Sequence, residues 1–177
     1  MTNNKITKVY WLTGLSGAGK TTLATALVSH LRELGQSPIL LDGDELRAVF
    51  TADTHSLENH GRDGRLQLAH RYSRLCKMLS QQGFTVVIAT ISMFREIHEW
   101  NRVNMPGYFE VYLKVPIEEC RRRDPKGLYK RFSKGQISHI AGLDLEVDEP
   151  LDPDLLIDFK ELPNKDQQVQ CIIDAIN

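Results

Sequence analysis

Residues 14–21 read Gly14-Leu15-Ser16-Gly17-Ala18-Gly19-Lys20-Thr21. The spacing is G-x-x-x-x-G-K-[ST], that of a loop that cradles nucleotide phosphates. Each residue type has a physical reason. Glycines let backbone N–H groups turn inward and approach phosphate oxygens, and the helix that follows aims its positive N-terminal end at them. Lys20 has the reach for the β- and γ-phosphates, and the Thr21 hydroxyl is a ligand for Mg²⁺. The flanks agree with this reading. Lys8-Val9-Tyr10-Trp11-Leu12 is a strand-like run before the loop, and Thr22-Leu23-Ala24-Thr25-Ala26-Leu27-Val28 has helical spacing after it. A turn that merely joins a strand to a helix needs neither the two glycines nor the Lys-Thr pair. Gly14, Leu15, Ser16, Gly17, Ala18, Gly19, Lys20, Thr21 and Thr22 are therefore expected to bind ATP or GTP.

Outward from the loop, strands and helices alternate. Apolar runs at Val9–Leu12, Ile39–Leu41, Thr85–Ala89, Phe109–Val115 and Leu155–Ile157 read as buried parallel strands. Helical patterns fall between them, at about Lys20–Leu34, Arg65–Gln81, Phe94–Asn101, Ile117–Arg122 and Lys165–Ile176, with Gly35 and Gly83 where C-caps belong. The expected fold is α/β: a doubly wound parallel five-stranded sheet of the phosphate-loop, nucleotide-kinase-like kind, in one domain over residues 1–177. Ligands of such sheets sit beyond the strand C-termini. Gly14–Thr21, Asp42–Asp44 and Ile91-Ser92 all fall there. The stretch Arg121–Pro150 breaks the alternation. It is polar, punctuated by Gly127, Gly135 and Gly142, and dense in cations (Arg121, Arg122, Arg123, Lys126, Lys130, Arg131, Lys134). It reads as a lid with one or two short helices that contacts phosphate.

Composition narrows the partners. A formal net charge of −1 does not suit a long nucleic acid. Cys76, Cys120 and Cys171 are widely spaced, which suits free thiols in a reducing compartment. No apolar run approaches the roughly 20 residues of a membrane span, and Met1–Lys5 leads straight into a strand, so the expectation is a cytoplasmic protein.

Phosphoryl transfer requires charge neutralisation, positioning and a group that orients the nucleophile. Leu41-Asp42-Gly43-Asp44-Glu45-Leu46-Arg47 can supply the last. One of Asp42 and Asp44 can hold Mg²⁺ through water while the other accepts a hydroxyl proton, and Arg47 can grip an anionic acceptor. The alternative for the same residues is a turn with Asp44 capping the next helix. Gly61-Arg62-Asp63-Gly64-Arg65 puts two guanidinium groups at a helix start, where they suit phosphate or sulfate or simply face solvent. The six histidines have no metal spacing, and Trp11 and Trp100 read as core or helix-face residues.

A GTPase would carry N-K-x-D. Asn164-Lys165-Asp166-Gln167 has Gln where the Asp is needed, and no D-x-x-G follows a strand. A nucleotide-binding module would need neither the Asp pair nor a basic lid. A small-molecule kinase accounts for all of these features.

The chain resembles adenylyl-sulfate kinase over nearly its whole length. The resemblance rests on Trp11-Leu12-Thr13-Gly14-Leu15-Ser16-Gly17-Ala18-Gly19-Lys20-Thr21-Thr22, Leu41-Asp42-Gly43-Asp44, Ile91-Ser92 and Arg123-Asp124-Pro125-Lys126-Gly127-Leu128-Tyr129-Lys130. It implies transfer of the ATP γ-phosphate, with Mg²⁺, to the ribose 3′-hydroxyl of adenosine 5′-phosphosulfate, a step of sulfate assimilation. It also implies a cytoplasmic homodimer. Lys20, Asp42 and Asp44 would be catalytic, with Asp42 at the position proposed as general base. Arg47 and Arg62 match arginines that hold the acceptor nucleotide. Ile91, Ser92, Lys126 and Lys130 would complete that side. Ser92 matches a serine held elsewhere to be phosphorylated, but in-line transfer needs no covalent step, so a hydrogen bond to the acceptor is expected instead.

The chain departs from the family on the acceptor side. Two phenylalanines that clamp adenine are replaced by Leu57 and by Ile140 of Ile140-Ala141-Gly142-Leu143-Asp144, and an asparagine is replaced by Arg65. The segment Ile91-Ser92-Met93-Phe94-Arg95 lacks the usual proline. Stacking is worth about 1–3 kcal/mol per base. Its loss, with an added charge at Arg65, leaves open a second acceptor: a CDP-linked compound of surface-polysaccharide modification, with a smaller base and one more phosphate.

Overall fold

The computed structural model describes residues 8–51 and 61–176. The chain runs β1 (Val9–Thr13), α1 (Lys20–Glu33), β2 (Ile39–Asp42), α2 (Gly43–Thr51), α3 (Arg62–Gln81), β3 (Val86–Ala89), α4 (Arg95–Asn104), β4 (Tyr108–Lys114), α5 (Ile117–Arg123), α6 (Leu128–Ser133), β5 (Leu155–Asp158) and α7 (Lys165–Ile176). All five strands pair in parallel in the order β2-β3-β1-β4-β5. This is the doubly wound sheet expected from the alternation. Among the described residues no helix is long and apolar enough to cross a membrane.

Strand alternation divides the core. Tyr10 and Leu12 of β1 face a layer built with Leu23, Leu27 and Leu31 of α1 and Ile172 of α7. Val9 and Trp11 face the opposite layer, with Leu68, Tyr72 and Cys76 of α3 and Ile97 of α4. Because both faces are covered, β1 is buried at all five positions, which is why it reads as a continuous apolar run.

Register sets the site. Leu12 of β1 and Asp42 of β2 both align with Ala89 of β3, so these three strands end level with one another. Beyond that edge Gly14 has φ +149°, and an added Cβ would lie 2.7 Å from the Leu113 carbonyl oxygen of β4. The chain can turn from β1 into the loop at this place only as glycine.

The sequence reading needs correction at the end of β2. Asp42-Gly43-Asp44 is not a turn capped by Asp44. β2 passes into α2 at Gly43 without a loop, and Asp42 is the cap, its Oδ1 accepting the Asp44 N–H at 2.8 Å. Gly43 makes this junction possible, since a Cβ there would stand 2.9 Å from Thr90 Oγ1. The helix α3 starts three residues before its apolar periodicity, with Asp63 in the first turn, where a negative charge suits the helix dipole.

Gly14→Ala should lower stability by about 2 kcal/mol or more, since the new methyl meets backbone and the φ is unfavourable. Urea denaturation measures this directly, and an unchanged midpoint would mean that the loop entrance is not tightly packed.

Candidate active site

The phosphate loop is held from outside. Its carbonyls are taken by residues of the lid base: Tyr129 OH donates to Ser16 O at 2.9 Å, and Arg123 Nη1 to Gly17 O at 3.2 Å and Ala18 O at 3.4 Å. Arg123 is itself stacked on Phe159, 4.8 Å from the ring centroid. Helix α5 presses close enough that a Cβ on Gly17 would sit 3.1 Å from the Cys120 carbonyl oxygen. With the carbonyls bound outward, Gly19, Lys20, Thr21 and Thr22 line a cleft of about 1070 Å³. The first turn of α1 contains no acidic residue, and Gly19 offers no side-chain cap. The N-terminal amides and the dipole of α1 are thus left for an anion.

Lys20 Nζ donates to Leu15 O at 2.8 Å. Burial is the main cause that brings its pKa down to about 8, with Asp44 opposing the shift and Lys126 adding to it. Thr21 Oγ1 donates to Asp42 Oδ2 at 2.8 Å, so one oxygen of Asp42 holds the loop threonine and the other caps α2. Asp44 projects further into the cleft, its side chain 68% exposed, and pairs with Lys126 Nζ from the lid. Thr21 and Asp42 together offer adjacent hard oxygen donors beside the phosphate site. That set suits Mg²⁺ held mainly by substrate phosphates and water.

Opposite the loop the wall is built from α2, α3, the segment after β3, and the lid. Arg47, Arg65, Ile91, Ser92 and Ile140 all line the cleft. Ser92 is buried at φ +31°, an uncommon conformation for a side-chain residue. Its Oγ shares a hydrogen bond of 2.8 Å with Thr90 Oγ1. Thr13 Oγ1 at the end of β1 donates to the neighbouring Ile91 carbonyl. Arg65 Nη2 donates to His139 O at 2.5 Å. Burial, with repulsion from Arg47, lowers the Arg65 guanidinium below its ordinary value.

Four residues named from the sequence stand elsewhere: Gly14 and Leu15 at the loop entrance, Arg62 and Lys130. Arg62 lies at the outer edge, 3.4 Å from Glu96 and 3.7 Å from Asp148, with its guanidinium 5.5 Å from the Phe94 ring centroid. Lys130 is exposed on α6, its backbone N–H capped by Asp124 at 3.0 Å. Neither lines the cleft. Leu57 lies outside the described residues. The structure also adds cleft residues that motif reading passed over. Pro163 and Gln168 line it, together with Lys165 of the N-K-x-D near miss. The near-miss at Asn164 proves to be a helix cap: Asn164 Oδ1 accepts from Asp166 N at 2.8 Å and Gln167 N at 3.3 Å. Asn followed by polar residues ahead of a helix was the available signal for that cap.

A glycine-rich loop, the Asp42/Asp44 pair and a wall carrying Arg47 and Arg65 thus share one cleft. The sequence profile of the adenylylsulphate kinase family matches residues 6–158. The chain belongs to this family. An adenylyl-sulfate kinase of Paraburkholderia xenovorans is 39% identical over 156 residues, covering 88% of this chain and 85% of its own. A cytidine diphosphoramidate kinase of Campylobacter jejuni is 38% identical over 165 residues, covering 93% and 94%. The fold matches a Mycobacterium tuberculosis APS kinase solved with AMPPNP and APS, at TM-score 0.82 and 34% identity, covering 96% of this chain and 97% of that one. As a member of the adenylylsulphate kinase family, the chain is a phosphotransferase that acts on a hydroxyl group.

The low pKa of Lys20 has a measurable consequence. Burial favours the neutral amine in the free protein, and a bound polyphosphate favours the ammonium. Nucleotide binding should therefore take up about half a proton at pH 8, and affinity should fall as pH rises above that value. Isothermal titration in buffers of different ionisation enthalpy measures the uptake. Binding heats that do not depend on buffer would show that Lys20 is already fully protonated in the free protein.

Proposed function

We propose that this protein transfers the γ-phosphate of ATP to the ribose 3′-hydroxyl of adenosine 5′-phosphosulfate. The observation that carries the reading is that the phosphate loop and the Asp42/Asp44 pair share one cleft with a wall containing Arg47, Arg65 and Ser92. The loop amides and Lys20 hold the β- and γ-phosphates. Thr21 and Asp42 would hold Mg²⁺, which neutralises phosphate charge and orients the γ-phosphate for in-line attack. Asp42 has both oxygens engaged by Thr21 and by the Asp44 amide, whereas Lys126 contacts Asp44 at Oδ2 alone. That favours Asp44 as the group nearer the acceptor hydroxyl.

The step balances as follows. The acceptor 3′-oxygen forms a bond to the γ-phosphorus as the bond to the β–γ bridging oxygen breaks. ADP leaves with that electron pair, and the hydroxyl proton passes to the Asp44 carboxylate. Lys126, which contacts Asp44, is placed to follow the charge onto the transferred group. Ser92 orients the acceptor and carries no phosphate. The resemblance also implies a cytoplasmic homodimer, which sedimentation of the purified protein would test.

A second acceptor is favoured by particular residues. Ile140 is a buried aliphatic on the acceptor wall where the family has an aromatic face, Arg65 adds a cation there, and the Campylobacter jejuni cytidine diphosphoramidate kinase matches almost end to end. These features support a CDP-linked nucleotide phosphorylated at the same hydroxyl.

A coupled assay with ATP and Mg²⁺ separates the two. Turnover with adenosine 5′-phosphosulfate is expected, and turnover only with CDP derivatives would replace the leading reading by the second. GTP hydrolysis without any acceptor would remove the kinase reading. Asp44→Asn should lower kcat by about 10²–10⁴-fold with the KM for ATP little changed. An equal fall in Asp42→Asn alone, with Asp44→Asn near wild type, would reassign the proton acceptor.

A further inference from the structure

The segment after α6 has no regular secondary structure, yet it is closely self-bonded. The carboxylate of Asp144 accepts from His139 N at 2.7 Å and Ile140 N at 2.6 Å. Leu143 N and Leu145 N both donate to Ile140 O, at 3.0 and 3.2 Å, and Gly142 N donates to Leu145 O at 2.9 Å. The five bonds give 139–145 one compact conformation, and its amides exchange only when that conformation opens. His139 takes φ +62° within it, held by the charged clasp of Asp144.

This unit meets the rest of the protein at three places. Ile140 and Ala141 are 7% and 5% exposed, and both line the cleft. Gly142 lies against the phosphate loop, where a Cβ would be 3.0 Å from a Leu15 methyl. The third place is polar. The Arg65 guanidinium, from the first turn of α3, donates to the His139 carbonyl 74 positions along the chain. Further on, the lid is fastened again: Asp148 N donates to Met93 O at 3.0 Å, and Arg95 N donates to Asp148 Oδ2 at 3.1 Å. The lid therefore crosses the acceptor side between two tethers, one at Arg65 and one at the start of α4.

The geometry points to Arg65 as a positioning residue for the acceptor pocket, one that fixes the 139–145 unit, and with it the Ile140 wall, across the cleft from α3. Its role in shaping the site passes through the lid backbone. A charge-assisted bond from a partly buried guanidinium is among the stronger single contacts a loop can have. The same guanidinium borders the cleft beside Arg47, so an anionic acceptor that draws on Arg65 also acts on the lid. Acceptor binding and lid placement are thereby coupled through one side chain. The effect on the acceptor rests on the kinase reading above, but the effect on the lid does not.

The test uses Arg65→Ala and Arg65→Gln in the full chain. Amide hydrogen exchange is followed in the ligand-free protein, and steady-state kinetics with both substrates. Exchange at 140–145 is expected to rise about ten-fold or more, with α1 and β1 unchanged. The acceptor KM is expected to rise by a similar factor while the KM for ATP stays within about two-fold. Unchanged exchange overturns the proposal: with a raised acceptor KM it would mean that Arg65 touches the acceptor directly, and without one that it does neither. If the alanine protein loses protection throughout, the glutamine protein decides, since it keeps polar bulk without the guanidinium. The lid result stands or falls without any acceptor, so its failure is distinct from a failure of the kinase reading.

Discussion

The contact between the Gly14 backbone and the Leu113 carbonyl of β4 constrains everything built above it. β1 lies in the middle of the sheet with strands on both sides, so the chain leaves it through a gap with no room for a side chain. That exit aims the loop over the strand ends and starts α1 with its amides toward the cleft. The level ends of β1, β2 and β3 then bring Asp42 to Thr21. The same carboxylate starts α2, which carries Asp44 and Arg47. One backbone contact and one carboxylate thus organise the phosphate site and the hydroxyl-orienting groups together.

The two halves of the cleft obey different physics. In the proposed reaction the donor half uses groups that every chain has: backbone amides and a helix dipole, preorganised because the lid base binds the opposing carbonyls. Lys20 adds a charge that burial disfavours and a nearby phosphate would favour. The acceptor half is made of side chains from distant segments. Arg47 and Arg65 repel each other there, Ser92 is held in a strained conformation by its hydroxyl partner, and Ile140 arrives on the lid. Its shape depends on how several elements dock.

This division explains what could be read from the chain. The strand pattern was legible because β1 and β3 are covered on both faces and carry unbroken apolar runs. The loop at Gly14–Thr21 was legible because its glycine-rich backbone geometry is local. The cap by Asp42 was harder, since Asp-Gly-Asp serves equally as a turn and as a strand running directly into a helix. Asn164 looked like part of a base-recognition motif because a cap and a ligand-binding loop use the same residue type. Arg123 and Tyr129 were visible as members of a basic lid, but not as props of the phosphate loop, for their targets lie more than a hundred residues away.

By itself the sequence determined the sheet, its covering helices and the glycine-lysine loop over the strand ends, because periodicity and a short motif act within neighbouring residues. It also named Arg47, Arg65, Ile91, Ser92 and Ile140, which line the cleft. Tertiary structure alone decided how they are used. Arg62, read as a substrate contact, turns to Glu96 and Asp148 at the rim, while Arg65, three residues on, enters the cleft and binds the lid. Residues three apart share a helix face, only about 60° from each other, so periodicity does not separate the two arginines. Which of them meets the cleft depends on where α3 packs, a matter of contacts that local sequence does not carry.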